Sequence, residues 1–170
     1  MDQKTIYALS TVYGKSGVAV VRVSGQQALK AVELMTDLDI GRIKPRYAYF
    51  TDIKSAVDGC KLDKSLLLYF KGPHSFNGED IVEFQIHGSR AVISGVLDSL
   101  AAIPGFRLAE PGEFSRRAFY NHKMDLTEAE GLADLIDAET SEQQKYAVRQ
   151  MDGELKNLYS VSYTHLRAHE

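Results

Sequence analysis

The chain has 170 residues, a formal net charge of −3 and a hydrophobic share of 44%, values typical of an ordinary soluble protein with one compact domain and part of another. Neither an apolar run of about 18 residues nor a charged-then-apolar leader is present, which argues against a membrane span or a secretory signal and predicts a cytoplasmic location. A single cysteine, Cys60, excludes an internal disulfide and a thiolate-rich metal cage, and no segment concentrates Lys and Arg as nucleic-acid binding requires.

The first half of the sequence is rich in strand signals. Residues 5–10 and 17–23 are β-branched stretches around a glycine-containing turn, which predicts a hairpin. Ser24 and Gln27 have the spacing of a capping box, so we expect a helix to follow them. Residues 44–53 and 64–70 are further strand candidates that extend the sheet.

The second strand-rich stretch carries polar residues on one face. In residues 80–87, Glu83, Gln85 and His87 alternate with apolar residues, a period of two that places the three polar side chains together. Residues 92–100 then show the spacing of an amphipathic helix, which Pro104 and Gly105 end. Residues 106–109 predict one more short strand.

The pattern changes from strands to helices after Leu126. Apolar residues recur at helical spacing there, and Thr140 with Gln143 predicts the cap of a last helix. That helix carries a seam at spacings of three and four, formed by Val148, Met151, Leu155 and Leu158. The fold class expected from this order is α+β, with a mixed β-sheet domain followed by the start of an α-helical domain. The boundary is predicted within residues 121–125.

Four ungapped blocks carry a resemblance to a known family. They are GVAVVRVSG at residues 17–25, GPHSFNGEDIVEFQIHG at 72–88, PGEFSRRAFYNHKMDL at 111–126 and EAEGLADLIDA at 128–138. Together they resemble the amino-terminal part of the MnmE (TrmE) family of tRNA-modification GTPases, from about residue 5 to residue 160. On this likeness we expect a folate-binding and dimerisation domain at residues 1–122, the first helices of a truncated helical domain at 123–160, and a tail foreign to the natural protein at 161–170.

The resemblance implies a fold, cofactors and partners. The first domain is expected to resemble the folate-binding fold of aminomethyltransferases, to bind a tetrahydrofolate in its 5-formyl or 5,10-methylene form, and to form a homodimer. Family members work with an FAD-dependent flavoprotein of the MnmG type on the wobble uridine of certain tRNAs. The phosphate-loop pattern GxxxxGK[ST] is absent from these 170 residues, so GTP, Mg and K are expected only in a separate GTPase domain. This piece is therefore expected to be non-catalytic alone. Its binding of tRNA is expected to be weak, because no segment concentrates Lys and Arg.

The same likeness places folate contacts at Arg22, Glu83 and Lys123. Arg22 lies on an otherwise apolar strand and needs an anion or solvent, and one carboxylate such as Glu83 can accept the paired N–H donors of a reduced pterin. The alternative is that Arg22 and Glu83 form a structural ion pair and that Lys123 is simply solvated. For Gln85 and His87 the sequence allows two roles, lining a pocket or packing in a turn.

The remaining aromatic and charged residues are expected to stabilise the fold. The rings of Phe76, Phe84, Phe114 and Phe119 are expected in the core, with one of them possible as a stacking partner of the pterin. The charges of Glu113, Arg116, Arg117 and Asp125 are expected to be caps or ion pairs. No group of His, Cys, Asp or Glu has metal-ligand spacing, so no metal is expected. Two alternative functions stay open: a free-standing folate-dependent aminomethyl transferase, and a dimerisation module without folate binding.

Overall fold

An antiparallel hairpin begins the fold in the computed structural model, which describes residues 4–152. Its strands are β1 (Thr5–Leu9) and β2 (Ser16–Ser24), and their register pairs Ala8 with Arg22. Both strands are rich in Val, Ile and Tyr, residues that suit the pleated surface of a sheet. The hairpin predicted from the sequence is confirmed.

Four further strands complete a six-stranded sheet. They are β3 (Ala48–Lys54), β4 (Lys61–Phe70), β5 (Ile81–Gly88) and β6 (Phe106–Leu108), and the spatial order is β3-β4-β5-β2-β1-β6. All neighbours are antiparallel except β1 and β6, so the sheet is mixed, as predicted. The likeness of this domain to aminomethyltransferases stays a prediction.

Strand β3 begins four residues later than the sequence pattern indicates. Pro45 has no N–H to donate to a ladder, and Arg46 adopts a left-handed backbone with a φ of 63°. The predicted start at residue 44 is therefore wrong, because both residues are incompatible with a continuous strand.

Two helices cover one face of the sheet. They are α1 (Ala28–Met35) and α2 (Arg90–Ala101), and each turns one apolar side toward the strands. Their buried side chains join alternate residues of β2 and β5 in a single core, which includes Ala31, Val32, Ile93, Val96, Val21, Val23, Phe84 and Ile86. Because side chains alternate along a strand, Arg22 and Glu83 project from the opposite face of the sheet.

The capping box predicted at Ser24 and Gln27 is wrong. Gln27 is the N-cap of α1 and forms no side-chain cap hydrogen bond. The Ser24 hydroxyl instead donates to Glu79 Oε2 at 2.7 Å and accepts from Asn77 Nδ2 at 2.8 Å. The Ser24 side chain, which local spacing assigns to a helix cap, therefore belongs to a long-range hydrogen-bond network.

The chain divides into two compact units, between Phe114 and Ser115. The division falls within α3 (Glu113–Tyr120), and the second unit continues with α4 (Leu126–Ile136) and α5 (Ser141–Met151). Asp125 with Glu128 and Thr140 with Gln143 form capping boxes at the starts of α4 and α5. The domain boundary expected at 122–123 stays a prediction.

Helices α4 and α5 approach each other closely at Gly131. A Cβ atom there would lie 3.0 Å from the Met151 amide nitrogen and 3.1 Å from the Ala147 carbonyl oxygen. The contact uses the side of α5 where Ala147 and Gln150 are buried, and Val148 and Met151 of the predicted seam are half-buried. Two members of that seam, Leu155 and Leu158, lie outside the described residues.

Candidate functional site

Arg22 and Glu83 lie directly opposite each other on the neighbouring strands β2 and β5. The Arg22 Nε–H donates to Glu83 Oε1 at 2.9 Å, and Arg22 Nη2 lies 2.9 Å from the same oxygen as an ion-pair contact. Their side chains are 27% and 15% exposed, respectively. The structure thus brings two of the three predicted site residues together as a half-buried ion pair.

Arg22 and Glu83 are the only charged residues in a row of paired residues that runs across the described strands from β3 to β1. From β3 to β1, the row reads Ala48, Leu68, Glu83, Arg22 and Ala8. Apolar neighbours on both sides lower the local dielectric, which strengthens hydrogen bonds and makes an unpaired charge costly. Within residues 4–152, Glu83 Oε2 and Arg22 Nη1 have no partner, so one acceptor and one donor group stay available to a ligand.

Two aromatic rings flank the Arg22 guanidinium. Its central carbon lies 5.6 Å from the ring centroid of Phe76 and 5.6 Å from that of Phe114. Phe84 is fully buried in the core as expected, whereas Phe76 and Phe119 are 39% and 43% exposed. The core assignment of these two is therefore wrong, because each lies at a surface. The sequence does place Phe76 in a loop rich in Gly, Pro and Ser, which is the signal that separates it from the core phenylalanines.

Two polar networks hold these rings in place. Asn77 is fully buried next to Phe76, and it bonds the Ser24 hydroxyl and the Glu79 amide. On the other side, Arg107 binds both carboxylate oxygens of Glu113 at 2.6 and 2.7 Å, at the start of the helix that carries Phe114. Paired, hydrogen-bonded side chains of this kind fix a rotamer and its neighbours. The structural role expected for Glu113 is thus observed.

His87 belongs to a separate pair on the edge of the same face. Its backbone N–H donates to Asp63 Oδ2 at 2.8 Å, and its Nδ1 lies 2.8 Å from Asp63 Oδ1. Although burial opposes ionisation, the hydrogen bonds from His87 hold the pKa of Asp63 below its usual value. Gln85 is half-buried between Leu66 and Val20. The sequence carries no signal for the contact of His87 with Asp63, because the two residues lie on different strands that meet only in the tertiary structure.

Lys123, the third predicted site residue, is an exposed residue of the second unit. It follows His122, whose backbone is left-handed with a φ of 55°, and its N–H donates to the Ala118 carbonyl at 2.8 Å. An open cavity of about 460 Å³ adjoins it, lined by Phe119, Tyr120, His122, Lys123, Met124, Asp125 and Glu128. Its amine has no carboxylate within 4 Å in the described part of the chain. Its role as a folate contact stays a prediction.

None of the helices within residues 4–152 has the length and apolar character needed to cross a bilayer. In the same range, no three His, Cys, Asp or Glu side chains are grouped so as to hold a metal ion.

A family model described as "GTP-binding protein TrmE N-terminus" matches residues 5–123. The chain belongs to this family. All three predicted site positions, Arg22, Glu83 and Lys123, fall within the matched range, and the resemblance expected from the sequence blocks is confirmed.

Several curated relatives are similar over most of the chain. The tRNA modification GTPase MnmE of Wolbachia sp. subsp. Drosophila simulans is 53% identical over 159 residues, covering 92% of this chain and 34% of the relative. The protein of the same name from Parvibaculum lavamentivorans is 51% identical over 158 residues, covering 93% and 36%. A human protein named 5-taurinomethyluridine-[tRNA] synthase subunit GTPB3, mitochondrial, is 50% identical over 157 residues, covering 91% and 31%. The chain thus spans about a third of the length of these relatives.

Proposed function

We propose that this chain is the tetrahydrofolate-binding and homodimerising part of a tRNA-modification GTPase. In this proposal the whole protein hydrolyses GTP, with its Mg and K, in a separate domain. Together with an FAD-dependent flavoprotein of the MnmG type, it adds a carboxymethylaminomethyl or aminomethyl group to the wobble uridine of certain tRNAs. Family membership and the names of the relatives support the tRNA-modification part of the proposal.

The observation that carries folate binding is the Arg22–Glu83 pair with its unused atoms. A reduced pterin presents a ring N–H and an amino group side by side, and Glu83 Oε2 is an acceptor without a partner in the described structure. Arg22 adds a cation beside it, and the Phe76 and Phe114 rings supply aromatic surface. These residue types fit the donors, the carboxylates and the ring of a tetrahydrofolate, which would supply one carbon to the tRNA.

A homodimer is supported by the face of the sheet that the helices do not cover. Phe50 and Leu66 pair across β3 and β4 on this face, and they are 66% and 38% exposed. Apolar side chains this exposed on adjacent strands favour burial against another protein surface. We assign that surface to a second copy of the chain, because the family resemblance implies a homodimer.

One observation favours the alternative of a dimerisation module without folate. Arg22 and Glu83 already neutralise each other's charge through two short contacts to a single oxygen. A pair of this kind is stable without a ligand, provided that the strands hold both side chains in place.

Calorimetric titration of the chain with 5-formyltetrahydrofolate separates the two functions. The proposal expects a saturable heat with a stoichiometry of one ligand per chain, weakened in Lys123→Ala because that amine is proposed to hold a ligand carboxylate. Loss of one charge-assisted contact of this kind corresponds to a roughly 10-fold weaker affinity. The absence of heat at millimolar ligand would leave only the dimerisation module.

A further inference from the structure

A second cavity, in the first unit, has two cationic residues in its lining. The cavity has a volume of about 480 Å³ and is lined by Pro45, Arg46, Lys71, Gly72, Pro73 and His74. None of these residues belongs to the Arg22–Glu83 pair or to the rings beside it. The residues come from two loops, one before β3 and one after β4, so the sequence does not place them together.

Arg46 is held in position by the loop that faces it. Its backbone N–H donates to the Tyr69 carbonyl at 2.7 Å, and its Nη2 donates to the His74 carbonyl at 3.0 Å. The His74 N–H in turn donates to the Lys71 carbonyl at 3.0 Å. The guanidinium keeps its Nε and Nη1 donors free in the described structure, and a side chain that is already fixed loses less entropy on binding.

The two cations of this lining have no ion-pair partner within residues 4–152. Arg46 and Lys71 form no ion pair there, whereas Lys54, Lys61 and Lys145 each bind an Asp or Glu.

The acidic residues nearest along the chain have other partners. Glu79 accepts from the Ser24 hydroxyl, and Asp80 accepts from the Gly72 N–H. Asp52 pairs with Lys61. The Asp80 carboxylate thus adjoins the cavity-lining Gly72, but no Asp or Glu of residues 4–152 forms an ion pair with Arg46 or Lys71.

We propose that this cavity binds the phosphodiester backbone of an RNA. Arg46 and Lys71 would contact phosphate oxygens, for which a guanidinium fork and an ammonium are suited, and the rings of Pro45 and Pro73 would pack against a ribose. The proposal rests on the proposed function, because it takes tRNA as the RNA that the whole protein meets. Two or three phosphate contacts are too few for tight binding, so the affinity should be weak and dependent on salt.

Fluorescence anisotropy of a labelled tRNA transcript, titrated with the chain, tests this site. Between 50 and 200 mM salt the logarithm of affinity should fall with the logarithm of salt with a slope of about −2 to −3. Arg46→Glu with Lys71→Glu should weaken binding at least about 10-fold at the low salt and flatten that slope by about 2. Binding by the double variant equal to that of the unmodified chain would overturn the proposal.

Two matched variants distinguish the site from general effects. Lys30→Glu with Lys145→Glu changes the net charge equally at α1 and α5, and it should leave the affinity within about 2-fold; an equal loss would overturn the proposal. Arg46→Gly removes the cation and also relieves the left-handed backbone at φ 63°, so it should weaken binding about 3-fold without lowering the melting temperature. Unchanged affinity in this variant would contradict a role for the guanidinium.

Another ligand class and the folate proposal give separable results. Labelled polyglutamate that binds more tightly than tRNA, and is lost in the same double variant, would assign the cavity to an acidic polypeptide and overturn the proposal. The double variant should bind 5-formyltetrahydrofolate as the unmodified chain does, because Arg22 and Glu83 are intact. Failure of the RNA site therefore shows in anisotropy, and failure of the folate site shows in calorimetry.

Discussion

Replacing Glu83 by glutamine removes one negative charge from the sheet face while it preserves the size of the side chain. In the structure, Oε1 accepts two contacts of 2.9 Å from Arg22 and Oε2 is left for the proposed pterin. An amide offers one oxygen and one NH2 group, so its NH2 must face either the guanidinium or the pterin donors. A donor placed against donors costs about 1–3 kcal/mol, which corresponds to a folate affinity weaker by about 5- to 150-fold.

Calorimetry with 5-formyltetrahydrofolate measures this loss, and denaturant unfolding measures the cost to the fold. Glu33→Gln is the matched control, because it makes the same chemical change at an exposed position of α1. It should leave both affinity and stability unchanged. An affinity of Glu83→Gln within 2-fold of the unmodified chain would remove Glu83 from the site and refute the reasoning.

A double replacement separates a ligand-binding pair from a structural one. Arg22→Met with Glu83→Leu continues the apolar row from Leu68 to Ala8, and burying well-packed apolar groups in place of an ion pair is often neutral or stabilising. The free energy of unfolding should therefore stay within about 1 kcal/mol of the original. Folate binding should nevertheless be lost, and its survival would show that the two charges serve the fold alone.

Two further predictions concern the stability of the first unit. Asp63 has a lowered pKa in the folded chain, so its contribution to stability is present above its ordinary value of 3.8 and is lost as the pH falls through the lowered folded value. Asp63→Asn should therefore lower stability at pH 7 by about 1 kcal/mol and flatten the acid limb of unfolding curves measured across pH 2–6, and an unchanged limb would contradict this. Gly25 has a φ of 137°, and a Cβ there would lie 2.9 Å from the Thr5 Cα, so Gly25→Ala should cost about 2–4 kcal/mol. Gly17→Ala, where no atom lies within 4 Å of the new Cβ, should change the stability by less than about 0.5 kcal/mol; equal losses in the two variants, measured by denaturant unfolding, would refute the steric argument.

The alternation of side chains determined much of the site from sequence alone. A period of two in β5 set Glu83 apart from the core residues Val82 and Phe84, and the apolar character of β2 singled out Arg22. Both conclusions hold because strand periodicity is a local property of the backbone. The order of strands and helices and the capping box of α5 are local in the same sense, and the spacing of residues in the sequence predicts them correctly.

Tertiary structure decided which side chains meet. Ser24 has the spacing of a cap, yet it bonds Glu79 and Asn77, more than fifty residues away. The approach of Phe76 and Phe114 to Arg22 and the partnership of His87 with Asp63 likewise depend on strand order and loop path. Arg46 lines the same cavity as Lys71 and His74, which come from another loop, although no single segment of the chain is basic. Local spacing fixes the direction of a side chain. Its partners depend on contacts between distant segments, which form only when the strands assemble into the sheet.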